Sequence, residues 1–483
     1  MEKLSVADTW FTRESETTFQ HLVNVLVFDP EGPRLTMPRL RKLVEQRLHR
    51  LPLTRRRLVE VPLGLGEPYW IEDPEFDLDN HLEQVRLPRP GDDRRLAELA
   101  ARLASEPLDR DRPLWKIVLV NGLESRRQAV IVLFHHASVD GGSGMDVTGI
   151  LLDPTPEWEH VEPEDGWEPD RVPLPPELLA RAGYHLARRP LEVLASQRAT
   201  IRRLPKIATT FGKTLTAAPK TAPVVARSMM RRFREEGPVV EGPAPLAPRT
   251  PLNRRITANR SVAWETFSLD ELKAIKNAFG VTLNDVVMAA AAGAYREWLD
   301  ERDALPAIPT TVVVPVSVRT EEERGTFGNR VSIMLSRFPT NVADPVLRLR
   351  ETHKALKAAK ERHHALGPEF LTDWGKLTMP SLIARANRAL SRTDLPVLLW
   401  NFAVTNVPGP RQDLYLAGRR LESIKPVGFI MDDLGALMAF LSYRDEITLA
   451  VIACPDVVPD VEGLVAAVRH NIEELAAHAA EDA

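Results

Sequence analysis

Ala129-Val130-Ile131-Val132-Leu133-Phe134-His135-His136-Ala137-Ser138-Val139-Asp140-Gly141 is the stretch whose reading decides the fold. An unbroken apolar run leads into two adjacent histidines, and Asp140-Gly141 follows four residues after the second. A short run rich in Val and Ile and bounded by turn signals reads as a buried strand. Successive side chains on extended backbone point to opposite faces, so His135 and His136 diverge. That disfavours joint chelation of one metal. It favours one working imidazole beside a supporting neighbour. The glycines that follow bring the chain round into a helix expected to start near Ser143.

Outward from this stretch, the chain has 483 residues, 44% hydrophobic and 27% charged, enough for two or three domains with cores of their own. A net charge of -4 gives no global pull toward nucleic acid. The single cysteine, Cys454, excludes an intrachain disulfide framework and fits a reducing compartment. Met1 to Ser5 lacks an apolar core of the kind a secretory signal carries, and no stretch approaches the ~18–20 apolar residues of a membrane span. These features predict a cytoplasmic protein.

Residues 1–155 read as a first mixed domain. Its strands are expected over Leu22–Phe28 and Lys116–Val120, and its helices over Met37–Leu51 and Leu96–Ala104. Trp115, which opens the second of those strands, reads either as core or as lining for a substrate channel. Residues 156–249 form a Pro-rich, basic, partly helical linker. Between Arg171 and Gly237 there are fourteen Lys and Arg against four Asp and Glu. Leu191, Leu194, Ile201 and Leu204 share a broad side there, interrupted by Arg198. Such a segment suits docking on an anionic membrane or a lipid body, packing on a domain, or attraction of a polyphosphate-bearing substrate. Residues 250–483 read as a second α/β unit. A capping box at Ser268–Glu271 starts a helix that Gly280 ends, and Thr282–Asp285 opens an Ala-rich helix.

The chemistry follows by elimination. A nucleophile elbow needs Gly-x-Ser-x-Gly, but Gly142-Ser143-Gly144 runs into Met145 and the pattern fails. Helical metal ligands favour His at i and i+4, which this pair lacks. A second doublet, His363-His364, sits in a charged helical run with no Asp-Gly after it and reads as a solvated face. General-base catalysis remains. A neutral imidazole can take the proton of an alcohol, which then attacks an activated acyl group without a protein nucleophile. Asp140 is placed either to hold the histidine or to fix the loop through an arginine.

His135-His136-Ala137-Ser138-Val139-Asp140-Gly141 resembles the active-site motif of CoA-dependent acyltransferases and peptide-synthetase condensation domains. Further stretches are similar to the bacterial wax ester synthase/diacylglycerol acyltransferase family. They are Leu4-Ser5 with Asp8, Asp73–Asp77 with His81, and Pro113-Leu114-Trp115. Asn284-Asp285, Pro315–Arg319, Gly328-Asn329 and Asn406–Pro410 continue the family's order over nearly the whole chain. The resemblance implies two chloramphenicol-acetyltransferase-like α/β sandwich domains with a tunnel at their interface. Within it His136 would be the general base and His135 its support. Asp140, followed by Gly141, would pair with Arg319 as a strut, and Asn284 would offer a polar group near the reacting carbonyl. Met438 falls where the family often has asparagine, a departure on the acceptor side. The implied reaction moves a long-chain acyl group from acyl-CoA, a co-substrate with no other cofactor and no metal, to diacylglycerol or a fatty alcohol at a membrane or lipid-body surface. A condensation-type enzyme fed by a carrier protein, and a non-catalytic lipid-body protein, are the alternatives.

Overall fold

The computed structural model describes residues 1–12, 14–138, 149–158, 161–162, 166–185, 187, 247–317, 331–366, 397–398 and 400–481. Asp140, Gly141, Arg319, Gly328-Asn329 and nearly all of the basic stretch from residue 188 to 246 lie outside them. The first strands in chain order are β1 (Glu2–Lys3), β2 (His21–Phe28), β3 (Arg56–Val59), β4 (Tyr69–Glu72), β5 (Leu82–Arg86), β6 (Trp115–Asn121) and β7 (Gln128–His135). Then come β8 (Ala247–Pro248), β9 (Ser261–Ser268), β10 (Thr310–Ser317), β11 (Val331–Phe338), β12 (Val397–Leu398) and β13 (Phe402–Val407). β14 (Tyr415–Leu416), β15 (Arg419–Val427), β16 (Ala436–Tyr443) and β17 (Glu446–Ala453) complete them.

Two six-stranded mixed sheets dominate, in the orders β14-β15-β2-β7-β6-β5 and β11-β10-β13-β16-β17-β9. β7 is central in the first, between β2 and β6, and every one of its residues is buried. A strand covered on both faces has no polar side to alternate with, which is why its sequence is unbroken apolar. Val130, Val132 and Phe134 pack in the cluster that holds the helix Met37–Arg47. Ala129, Ile131 and Leu133 face a second cluster shared by both sheets and the helix Asp93–Ala104. That helix starts three residues before the expected Leu96, because the Asp92 side chain caps it by accepting from Arg95 N–H.

The outer face of the second sheet is covered by the helices Leu269–Phe279, Leu283–Asp300, Pro345–Leu366 and Val461–Glu481. Gly280, at φ 65°, ends the first in the left-handed region, and Thr282 with Asp285 forms a full capping box on the second. Among the described residues no single helix is long and apolar enough to cross a membrane.

One connection escapes a sequence division at residue 250. β14 and β15 come from the last part of the chain, yet β15 pairs antiparallel with β2 in the first sheet. Its start is fastened by Arg419 Nε donating to Asp29 O (2.7 Å) and by Arg420 Nε on Asp29 Oδ2 (2.6 Å). The chain then crosses to β16 in the second sheet, so residues 428–435 bridge the two sheets.

Candidate active site

The site grows from the paired ends of β2 and β7, where His21 faces His135 in register. His135 closes the strand and the chain turns at once. Ser138 N–H donates to His135 O (2.9 Å), and Ala137 N–H donates to His135 Nδ1 (3.1 Å). A ring nitrogen that accepts carries no proton, so the neutral His135 ring holds its hydrogen on Nε2. Nε2 lies 3.2 Å from Glu14 Oε1. Both groups are buried.

Glu14 joins several parts of this corner. Its Oε1 accepts Gln20 N–H (2.7 Å), and Gln20 O in turn accepts His136 N–H (2.7 Å). Arg110 donates to Glu14 Oε2 (3.2 Å) and Thr12 O (3.0 Å). Burial pushes the Glu14 carboxyl up, but His135, the Gln20 N–H and Arg110 together outweigh it and leave its pKa below the ordinary value. His21 is fully buried, with its Nε2 3.3 Å from Leu103 O. Burial first, and His135 second, push the His21 imidazole down to about 4. It is a neutral structural ring at physiological pH.

His136 points elsewhere, as the strand-end geometry predicts. Its ring stacks on Phe11 at a 4.0 Å centroid distance and 18° between planes. The Phe429 ring meets it edge-on at 5.4 Å and 77°. Phe11 ends the helix Val6–Phe11, and Phe429 lies on the bridge between the two sheets. The imidazole is thus clamped by aromatic groups from both ends of the chain, where the halves meet. Arg260 reinforces this seam. Its guanidinium donates to Thr17 O (2.6 Å) in the loop after Glu14, and also to Thr257 O and Asn259 O. Burial draws its pKa down to about 10.

Trp115 does not belong to this site. It pairs with Phe134, so it lies on the face of the sheet opposite His135. It stacks on His81 at 4.4 Å, and its indole N–H donates to Thr54 O (2.8 Å). The channel-lining expectation is corrected: both the ring and its one polar atom are satisfied within the core. Asn284, half-buried in the first turn of its helix, accepts from Asn406 Nδ2 (3.1 Å), which joins two of the stretches that carried the resemblance. Asp285 is occupied by the capping box and by His353 Nδ1 (2.7 Å). The Asp140–Arg319 pairing and Gly141 fall outside the described residues. Phe11, Glu14 and Phe429 were not singled out by the sequence. Among the described residues no cluster of three or more His, Cys, Asp or Glu is placed to hold a metal.

Known proteins match this chain along most of its length. The wax ester synthase/diacylglycerol acyltransferase catalytic domain matches residues 4–287, and the WS/DGAT C-terminal domain matches residues 327–476. A Mycobacterium tuberculosis protein named for diacylglycerol O-acyltransferase activity is 32% identical over 483 aligned residues, covering 98% of this chain and 90% of that protein. The wax ester synthase/diacylglycerol acyltransferase of Marinobacter aquaeolei VT8 superposes with a TM-score of 0.68 at 26% identity, over 99% of this chain and 100% of that one. The starter condensation domain of rhizomide synthetase, solved with C8-CoA, shares the fold at a TM-score of 0.55 and 15% identity, over 99% of this chain and 95% of that one.

Proposed function

Because the chain belongs to the wax ester synthase/diacylglycerol acyltransferase family and is an acyltransferase, we propose that it moves a long-chain acyl group from acyl-CoA to a lipid alcohol, with His136 as general base. The acceptor is diacylglycerol, giving triacylglycerol, or a fatty alcohol, giving a wax ester. The observation that carries this reading is the placement of His136, held by its own N–H on Gln20 and by Phe11 and Phe429 on its ring, at the seam between the halves.

The imidazole takes the hydroxyl proton as the alcohol oxygen attacks the thioester carbonyl. The tetrahedral intermediate collapses, the C–S bond breaks, and the imidazolium returns its proton to the departing CoA thiolate. Atoms and charge balance without an acyl-enzyme. His135, tied to Glu14, fixes the turn that presents His136. Asn284 is assigned the polar contact from the second half; its oxygen is engaged by Asn406, which leaves its amide N–H groups as donors to a substrate oxygen. Asp140 with Arg319 is inferred as a strut behind the loop, and Gly141 as its turn. Association with a membrane or lipid-body surface, aided by the basic stretch, completes the reading.

Purified protein given acyl-CoA and each alcohol tests it. Replacing His136 with Ala is expected to slow ester formation by about 10²–10⁴-fold, with the melting temperature nearly unchanged. Unchanged ester formation would remove His136 as the base.

A further inference from the structure

The bridge between the sheets, residues 428–435, carries Phe429 against the His136 ring and then makes a tight turn. In that turn Leu434 N–H donates to Met431 O (2.9 Å). Asp433 sits there at φ 62°, in the left-handed region that residues other than glycine seldom adopt. Such a conformation persists where its surroundings hold it. Much of the hold comes from one segment of the second half, residues 250–260, between β8 and β9. Asp433 N–H donates to Arg254 O (3.0 Å), and Gly435 N–H donates to Leu252 O (3.0 Å). Asp432 Oδ1 accepts Ile256 N–H (3.1 Å).

Asn253 lies at the centre of these contacts and is 2% exposed. Its side-chain N–H groups donate to Asp433 O (2.8 Å) on the bridge and to Asn401 O (3.2 Å) just before β13. Its Oδ1 accepts from Thr250 Oγ1 (2.7 Å) and from Asn401 Nδ2 (3.0 Å). One buried amide, engaged on both its oxygen and its nitrogen, therefore joins three stretches of chain.

The other end of the segment is fixed to the first half. Arg260 N–H donates to Ser105 Oγ (3.0 Å), and the Arg260 guanidinium donates to Thr17 O, between Glu14 and Gln20. Asn253 thus works from an anchored base, and the bridge is gripped on the side of the turn away from Phe429.

We propose that Asn253 is a positioning residue for acyl transfer. It fixes the turn Met431–Leu434, the turn fixes Phe429, and the edge of the Phe429 ring limits rotation of the His136 imidazole. This rests on the reading of His136 as general base and deepens it. An imidazole free to swing spends less time aligned with the hydroxyl proton. Loosening it lowers kcat and leaves substrate binding nearly unchanged.

A double-mutant cycle of Asn253→Ala and Phe429→Leu in the full chain tests it with two readouts. One is steady-state kinetics; the other is carbethoxylation of His136 by diethyl pyrocarbonate, followed by peptide mass spectrometry. Asn253→Ala is expected to lower kcat by about tenfold, with KM for acyl-CoA and for the alcohol changed by less than about twofold. His136 should be carbethoxylated about tenfold faster, while fully buried His21 stays protected and reports that the fold is intact. In the Phe429→Leu background, Asn253→Ala should change neither readout by more than about twofold, since the group it acts through is gone. A lower melting temperature with both readouts unchanged, or equal changes in the two backgrounds, overturns the proposal. Should Asn253→Ala not fold, Asp432→Ala removes a milder hold, the contact to Ile256 N–H from the half-buried turn. The same pattern is then expected at about threefold, and its absence overturns the proposal equally. If His136 reactivity follows the pattern but the wild type esterifies no alcohol, the acyl-transfer reading fails and the positioning stands.

Discussion

Two buried polar networks, one in each half, differ in what they leave open. In the first, Glu14, His135 and Gln20 hold the turn after β7, and the next side chain, His136, is met by two aromatic rings at the seam. In the second, Arg348 donates to Val342 O (3.0 Å), Ala343 O (2.9 Å) and Asn471 Oδ1 (2.6 Å). Asn471 in turn donates to Glu297 Oε1 (2.6 Å) and Ala467 O (2.8 Å). That network ties three helices together and ends in backbone carbonyls and the Glu297 carboxylate. Burial of polar groups is therefore no mark of a site by itself. What distinguishes the first network is that it positions a group outside itself. The two histidine doublets repeat the lesson: His135 and His136 diverge at a strand end, whereas His363 lies half-buried along a helix.

Breaking each network should separate stability from chemistry. The largest effect is expected at Gly293, in the middle of the helix Leu283–Asp300. A Cβ there would lie 1.7 Å from Asn471 Oδ1 and 2.9 Å from Arg348 Nη2. Ala in place of Gly in a helix interior ordinarily stabilises by about 1 kcal/mol. Here Gly293→Ala must displace Asn471 and leave a buried guanidinium short of a partner, so a net loss of about 3 kcal/mol is expected in chemical denaturation. The kcat of the remaining folded enzyme should be unchanged. A stabilised variant would mean the network is looser than its distances imply.

Glu14→Gln comes next and should do the reverse. The variant keeps the shape of the side chain but loses the charge facing His135 and Arg110. If Glu14 positions His136 through His135 and Gln20, kcat should fall by about 10²-fold, because small displacements of a catalytic group are costly. KM for both substrates should change little, and the melting temperature should fall only modestly, by the stability that the ionised carboxyl supplies. A fall confined to the melting temperature would reduce Glu14 to a structural residue and erase the contrast with Gly293.

The sequence made one of these networks half visible. β7 is legible because a strand buried on both faces has only apolar residues, and its end shows in the histidines themselves. Ser268, Gly280 and Thr282 are legible because capping is local chemistry within a few residues. β15 is not. Arg419-Arg420-Leu421-Glu422-Ser423-Ile424-Lys425-Pro426 looks like a loop until β2, some 390 residues earlier in the chain, supplies its partner. Its arginines are spent on Asp29 rather than on solvent. The surroundings of His136 are hidden for the same reason. Glu14 sits in Arg13-Glu14-Ser15-Glu16, which reads as surface charge, and Phe11 and Phe429 lie at opposite ends of the chain. Trp115 was ambiguous because its position opening a strand suits either a core or a channel. The pairing with Phe134 decides for the core.

The smallest effect concerns acid. His21 is neutral in the fold, with its pKa lowered to about 4 by burial and then by His135, while Glu14 pulls it up and Arg260 pushes it further down. In the unfolded chain the same imidazole titrates near 6.5. Between these values the unfolded state binds the proton and the folded state does not, so stability is lost as pH falls from about 6.5 toward 4. From pH 7 to pH 5 this one group should contribute about 2 kcal/mol to the loss. Glu14 adds to it in the same direction, since its depressed carboxyl favours the fold only while ionised. The second network runs the other way. Burial pushes the Glu297 carboxyl up, so acid relieves it. Denaturation curves at pH 7 and pH 5 for the wild type and for His21→Gln should therefore diverge. The variant, which no longer has a ring to protonate on unfolding, should show the shallower loss. Equal slopes would mean that His21 already takes its proton inside the fold and contributes nothing to the loss in acid.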